Sequence, residues 1–162
     1  MEREGELITP PTSNHMIDAK VREYIIALAL KFQGTPYIWG GSVPYIGFDC
    51  SGFVVWILQV FGILPSGDWT ADGLGRVFPH TESPEKGDLC LYGTKDRLTH
   101  VMFYVDDDMC VGASGGGSET TSVEIARARG AQVKIKKPVK YRSDFRFYCK
   151  IEMRNGNSEP EP

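Results

Sequence analysis

The sequence has no Cys-x-x-Cys pair and only three histidines, so the closely spaced ligand sets of zinc-binding motifs are missing. Its four cysteines are spread along the chain: Cys50, Cys90, Cys110 and Cys149. We therefore expect no metal site, and we predict no cofactor. The chain opens with a charged, mostly acidic segment, residues 1–6, which is unlike a secretory signal peptide. We accordingly predict synthesis in the cytoplasm, where cysteines usually stay reduced.

Long apolar runs and an excess of basic residues are also missing. No apolar segment approaches the ~18 residues that a membrane-spanning helix needs, so we predict no membrane partner. The 18 lysines and arginines are outnumbered by 21 aspartates and glutamates, which gives a formal net charge of −3. This balance argues against a nucleic-acid partner, because such proteins carry a basic surface.

The length and composition are those of a globular protein. A chain of 162 residues with 41% hydrophobic and 24% charged residues has enough apolar side chains to build one hydrophobic core. We predict an extended N-terminal arm over residues 1–14, a single domain over residues 15–154 and a disordered tail over residues 155–162.

The hydrophobic pattern changes from helical to strand-like along the predicted domain. Residues 18–32 have apolar side chains at helical spacing, and residues 53–64 are apolar on nearly every side, as in a buried central helix. From residue 87 onward the apolar residues alternate, which predicts strands at 88–92, 99–105, 109–113 and 133–136 and a last strand from residue 145. This order predicts an α+β domain.

Cys50 lies where a cysteine can become reactive. It follows a glycine-rich loop, residues 34–47, and begins the buried helix. Unpaired backbone N–H groups at a helix start favour a thiolate, so we expect the pKa of Cys50 to fall below the ~8.5 of a free thiol. The same N–H groups can stabilise the oxyanion that forms when a thiolate attacks an acyl carbon. The other three cysteines are predicted to be small buried hydrophobic residues.

A cysteine nucleophile needs a proton acceptor, and imidazole is the usual one. His15 adjoins the predicted arm and His80 lies in a loop, whereas His100 lies on a predicted strand. A helix beginning with cysteine, packed on an antiparallel sheet that carries histidine, is the layout of papain-like thiol enzymes. The alternative for both residues is structural: a packed cysteine and a hydrogen-bonded core histidine.

Four segments carry a resemblance to a known family. They are, in order, Gly34-Thr35-Pro36-Tyr37-Ile38-Trp39-Gly40-Gly41, Phe48-Asp49-Cys50-Ser51-Gly52-Phe53, Lys86-Gly87-Asp88-Leu89 and Thr99-His100-Val101. In order and spacing they resemble the NlpC/p60 cysteine peptidases, over roughly residues 18–115. The resemblance implies a papain-like fold and a cell-wall hydrolase that cuts an amide of the peptidoglycan stem peptide, commonly between γ-D-glutamyl and the diamino acid.

The resemblance also implies roles for single residues. Cys50 would be the nucleophile, and His100 the general base that later protonates the departing amine. Tyr37 would orient the substrate or the oxyanion, and Asp49 and Ser51 would bind polar groups of the stem peptide. The structural alternatives are an aromatic core residue for Tyr37 and a helix N-cap for Asp49, and the N-cap is compatible with binding.

One position departs from the family pattern. The family usually has a third polar residue, often histidine, about twelve positions after the catalytic histidine, and Gly112 occupies that position. His100 then has to be oriented by a backbone carbonyl, by a water or by a side chain from elsewhere, and Ser114 is one candidate. A backbone carbonyl can fix the imidazole tautomer, although it supplies no negative charge.

The segments after residue 112 are similar to phage-encoded members of the family. They favour a phage endolysin or tail lysin that reaches the wall after lysis, by phage delivery or by dedicated export; a secreted antibacterial effector is the second choice. A muramoyl-L-alanine amidase, an acyltransferase and a non-catalytic phage structural protein are the other functional alternatives. Residues 127–146 carry eight basic side chains against one acid, predicting a solvated strand face or an attraction to an anionic wall polymer.

Overall fold

The structure is a computed structural model that describes residues 16–154. The predicted arm at residues 1–14 and the predicted tail at residues 155–162 lie outside the described residues, as does His15. Within the described part of the chain, no helix is long and apolar enough to cross a membrane.

The helices begin where the sequence offers a capping side chain. The four α-helices of the described residues are α1 (Ala19–Lys31), α2 (Cys50–Val60), α3 (Ala71–Val77) and α4 (Val123–Arg129). Each follows an N-cap side chain whose oxygen accepts a backbone N–H of the first turn: Asp18, Asp49, Thr70 and Ser122. Such caps satisfy N–H groups that have no partner inside the helix. The two predicted long helices are therefore confirmed, with α2 beginning at Cys50.

An antiparallel sheet forms the second layer. Its strands are β3 (His80–Thr81), β4 (Leu89–Gly93), β5 (Leu98–Tyr104), β6 (Cys110–Ser114), β7 (Gln132–Lys136) and β8 (Phe145–Cys149), in the spatial order β3-β8-β4-β5-β6-β7. A separate two-stranded hairpin pairs β1 (Ser42–Val43) with β2 (Gly47–Phe48). The predicted α+β fold, with a buried helix bearing Cys50 on an antiparallel sheet, is confirmed.

The sheet is covered on both faces. Its main core cluster joins the buried side chains of α2, such as Phe53, to Val101 and Phe103 of β5. The opposite face carries a smaller cluster built around Tyr92 and Met102. This second cluster lies beneath a short 3-10 turn, Val139–Tyr141, whose Val139 is fully buried. The alternation of β5 thus sends neighbouring side chains into two different cores.

A buried ion pair fastens α1 to the start of β4. The Arg22 guanidinium donates to Asp88 Oδ1 at 2.7 Å, and both side chains are almost completely buried. The Asp88 carboxylate also accepts the backbone N–H of Glu85 and of Ile151. Because every described partner of Asp88 is a donor, its charge is compensated inside the core. The Asp of the Lys-Gly-Asp-Leu motif is therefore structural.

Candidate active site

Cys50 is the first residue of α2, and hydrogen bonds of Asp49 hold the preceding loop against the N-terminus of this helix. The Asp49 carboxylate accepts the N–H of Gly52 at 2.7 Å and the N–H of Gly40 at 3.1 Å. Asp49 is therefore the N-cap that the structural alternative predicted. A side chain at Gly52 would collide with the carbonyl of Gly41, so glycine allows this close approach.

The sulfur of Cys50 lies against the backbone of β5. Strand β5 pairs with β6 at Phe103 and Tyr104, near the end of β5. Near the beginning of β5, the N-terminus of α2 lies against the same edge of the strand. The thiol donates to the carbonyl oxygen of Thr99, with 3.8 Å between sulfur and oxygen. The N–H of Val101 also points to the sulfur. The sulfur thus contacts the two residues that flank His100.

His100 is buried and has a hydrogen-bond partner that sequence reasoning missed. Its Nε2 lies 3.0 Å from the hydroxyl of Tyr141, and that hydroxyl lies 3.2 Å from Oγ of Ser114. The His100 ring also packs against Tyr92, with ring centroids 5.2 Å apart. Ser114 therefore reaches His100 through Tyr141. No local signal marked Tyr141, which is distant in sequence and is brought over the sheet by the 3-10 turn.

The glycine at position 112 has a packing reason. A Cβ built on Gly112 would lie 2.7 Å from the Met102 sulfur, which is closer than real Cβ contacts. Met102 is fully buried on the same face of the sheet as the His100 side chain. The space beside Gly112 is therefore filled, and the orienting side chain of His100 comes from elsewhere in the chain.

Burial controls the protonation of both candidate catalytic groups. Burial, assisted by the charge of Asp49, raises the pKa of the Cys50 thiol to about 11, against smaller lowering effects of nearby N–H groups and Arg142. The expectation of a lowered Cys50 pKa is therefore wrong, because desolvation outweighs the helix end and the Asp49 carboxylate already occupies that end. Burial and the nearby charge of Arg142 lower the pKa of His100 to about 3. At neutral pH both groups are uncharged.

Tyr37 belongs to the core in the neighbourhood of the candidate nucleophile. Its side chain is buried, and a Cβ on Gly116 would collide with its ring. Burial raises the pKa of the Tyr37 hydroxyl, and so, more weakly, do the neighbouring ionisable groups of Cys50 and Asp49. The hydroxyl therefore stays protonated at neutral pH and is able to donate a hydrogen bond.

A cavity of about 540 Å³ runs along α2, and Cys50 is not among the residues that line it. Its lining includes Asp49, Ser51 and Asp68 and two tryptophans, Trp56 and Trp69. Burial, and more weakly the Asp68 charge, raise the pKa of Asp49. The cavity therefore offers two carboxylates and two tryptophan side chains, and two of its lining residues, Asp49 and Ser51, adjoin Cys50 in the sequence.

Residues 127–146 lie on the side of the site where Tyr141 contacts His100. Three of their basic groups form ion pairs: Arg129 with Glu119, Lys137 with Asp107 and Arg142 with Asp144. The Lys136 amino group lies 5.2 Å from the centre of the Tyr141 ring, a cation–π contact. Part of the basic segment is thus engaged with the protein itself.

The cysteines and acidic groups form no metal cluster in the described part of the chain. No group of three or more His, Cys, Asp or Glu side chains within residues 16–154 is arranged to hold a metal ion. Cys90, Cys110 and Cys149 are free and fully buried, as expected for small hydrophobic residues.

Two curated relatives of the chain are bacterial proteins named as endopeptidases. The bifunctional muramidase/DL-endopeptidase CwlT of Bacillus subtilis is 34% identical over 106 residues, which cover 63% of this chain and 32% of CwlT. The peptidoglycan endopeptidase RipB of Mycobacterium tuberculosis is 31% identical over 119 residues, 65% of this chain and 48% of RipB. The chain thus spans less than half the length of either relative.

Solved structures share the fold and the family model matches the sequence. The NlpC/p60 domain of the peptidoglycan hydrolase SagA superposes with a TM-score of 0.61 at 28% identity, covering 83% of this chain and 99% of that domain. RipB of Mycobacterium tuberculosis gives 0.63 at 25% identity, covering 83% and 66%. The model of the NlpC/P60 family matches residues 34–137, more than half of the sequence. The chain therefore belongs to the NlpC/P60 family.

Proposed function

We propose that this chain is a cysteine peptidase that hydrolyses an amide of the peptidoglycan stem peptide. The observation that carries the proposal is the position of the Cys50 sulfur, at the start of α2 and against the backbone on both sides of His100. Family membership and relatives named as peptidoglycan endopeptidases support the same chemistry.

The proposed mechanism starts from an uncharged pair. The thiol gives its proton to His100 as the sulfur attacks the carbonyl carbon of the scissile amide, and the backbone N–H of Cys50 stabilises the oxyanion. His100 then returns the proton to the departing amine, which leaves an acyl group on Cys50. Water, deprotonated by His100, releases the acid and restores the thiol. Proton transfer and attack are coupled, because no thiolate is present beforehand.

The cavity along α2, which Asp49 and Ser51 line, is the proposed binding site for the acyl side of the substrate. Its carboxylates, Asp49 and Asp68, suit an amino group of the peptide, and Ser51 adds a polar contact. Tyr37 lies outside the cavity lining, and its proposed role is to orient the substrate or the oxyanion. A relative from Bacillus cereus, 33% identical over 98 residues, is named γ-D-glutamyl-L-lysine dipeptidyl-peptidase. Together these support cleavage between γ-D-glutamyl and the diamino acid.

Mass spectrometry of digested muropeptides tests the function. The wild type should free the amino group of the diamino acid, Cys50→Ala should release nothing, and Cys149→Ser, which alters a buried thiol of β8, should behave like the wild type. A freed L-alanine amine would instead identify an amidase, and a new conjugate would identify acyl transfer. Wall binding without any product would identify a non-catalytic protein of the same fold.

The proposed biological setting is a phage endolysin or tail lysin, with a secreted antibacterial effector as the second choice. Its support is the similarity of the segments after Gly112 to phage-encoded members of the family. The protein would act on the wall after lysis, phage delivery or dedicated export. Producing it in the cytoplasm of a susceptible bacterium tests this: lysis should follow only when the inner membrane is permeabilised, and lysis without that step would contradict the setting.

A further inference from the structure

Tyr141 occupies a position in the site that the family match does not cover. The match ends at residue 137, and Tyr141 follows in the 3-10 turn. Two hydrogen bonds hold the first residue of that turn, Val139. The Tyr92 hydroxyl donates to its carbonyl at 2.7 Å, and its N–H donates to Asp108 Oδ1 at 3.1 Å. The Tyr141 hydroxyl is therefore held 3.0 Å from Nε2 of His100 by a built structure.

The proposed reaction requires one particular tautomer of His100. A neutral imidazole carries one N–H and one acceptor nitrogen. With Nε2 directed at Tyr141, Nδ1 is the nitrogen that remains to receive the thiol proton. Nδ1 can accept only if the ring proton is on Nε2, and a buried Nε2–H needs an acceptor.

Ser114 offers the Tyr141 hydroxyl a second hydrogen-bond partner. The hydroxyl has one proton, and Oγ of Ser114 lies 3.2 Å from it as an alternative acceptor. When the hydroxyl donates to Ser114, its oxygen lone pairs face Nε2–H of His100. When the hydroxyl donates to Nε2 instead, the ring proton is forced onto Nδ1 and the thiol has no acceptor.

We propose that Tyr141 is the positioning residue of His100 and that Ser114, by accepting the Tyr141 proton, holds His100 in the Nε2–H tautomer. A side chain from outside the family match thereby takes the role that Gly112 cannot fill, since Met102 occupies the space beside it. The positioning role rests on the proposed Cys50–His100 reaction, whereas the contacts among His100, Tyr141 and Ser114 do not depend on that reaction.

Nitrogen-15 NMR of histidine-labelled protein tests the tautomer without any substrate. Long-range proton–nitrogen couplings distinguish Nε2–H from Nδ1–H, and comparison with His100→Asn assigns the His100 signals. We expect the Nε2–H form in the wild type and a mixed or Nδ1–H form in Tyr141→Phe. Tyr148→Phe, which removes a half-buried hydroxyl from β8, should leave the tautomer unchanged. An Nδ1–H wild type, or an unchanged tautomer in Tyr141→Phe, would overturn the proposal.

Ser114→Ala is the second variant, and it keeps the tyrosine ring that packs in the turn. Without the Ser114 acceptor, the Tyr141 hydroxyl can turn to Nε2, so the Nδ1–H population should rise. If the wild type cleaves peptidoglycan, Tyr141→Phe should lower kcat by about 10- to 100-fold with KM within about twofold, since a misdirected proton acceptor affects the chemical step. A matching rise in KM with unchanged kcat would contradict the positioning role. If the wild type does not cleave, the proposed function fails and the tautomer measurement still decides this inference.

Discussion

The thiol of Cys50 should react slowly with alkylating agents at neutral pH, and faster as the pH rises. In the experiment, the folded wild type is treated with iodoacetamide at a series of pH values. Only the thiolate attacks the reagent, and burial raises the pKa of Cys50 to about 11. The rate should therefore increase about tenfold for each pH unit until the pH approaches that pKa.

The size of the effect follows from the ionised fraction. At pH 7.5 a thiol with a pKa of about 11 is ionised to roughly one part in 3,000, whereas a free thiol with a pKa of ~8.5 is ionised to roughly one part in eleven. The thiolate fraction of Cys50 should thus be about 300-fold smaller than that of an unfolded cysteine, and its alkylation should be slower, although the higher pKa makes each thiolate more nucleophilic. Its side chain is only 7% exposed, which slows the reaction further.

Peptide mass spectrometry after timed alkylation measures the rate at each cysteine separately. The unfolded chain in urea supplies the reference rate, and Cys149, which is fully buried, shows how a thiol without solvent access behaves. A Cys50 rate that is constant from pH 6 to pH 9, and as fast as in urea, would refute the reasoning. Such a profile would mean a thiolate paired with a protonated His100, and it should then disappear in His100→Asn.

Three further predictions follow from the buried polar groups. Asp88→Ala leaves the Arg22 guanidinium buried without its carboxylate and should lower the free energy of unfolding by about 3–5 kcal/mol, measured by urea denaturation; a loss below about 1 kcal/mol would contradict the role of this pair. Asp49→Ala removes the α2 N-cap and should cost about 1 kcal/mol in the same assay, and no loss would show that the cap is dispensable. Because the pKa of His100 is lowered to about 3, its base form persists as the pH falls. The value of kcat/KM should therefore change less than about twofold between pH 7 and pH 5. With a histidine of pKa ~6.5, kcat/KM would fall about 25-fold over the same range, and that fall would contradict the burial argument.

The sequence predicted the elements that carry Cys50 and His100 because each has a local signal. An all-round apolar segment after a glycine-rich loop indicated α2, and strict alternation indicated β5. Helix α4 was not predicted, although Ser122 and Gly130 are its caps, because Ala126 is its one buried residue and no apolar stripe results.

The protonation of the site and the partner of His100 could not be predicted in this way. The position of Cys50 at a helix end predicted a lowered pKa and a thiolate. The pKa of Cys50 depends more strongly on how deeply the fold buries its sulfur. The contact of Tyr141 with His100 joins two residues 41 positions apart, and it depends on the turn that follows β7. Local patterns contain neither a burial depth nor a contact across the sheet.

The placement of β8 affects how the molecule can be assembled. This strand is the last one described, yet it lies inside the sheet, between β3 and β4. During synthesis on the ribosome, β3 and β4 emerge long before the strand that joins them, so the nascent chain exposes two unpaired strand edges. The Tyr141 turn emerges just ahead of β8. A half-made polypeptide therefore carries the cysteine and the histidine on an incomplete sheet, and the sheet is complete only when translation has passed residue 149.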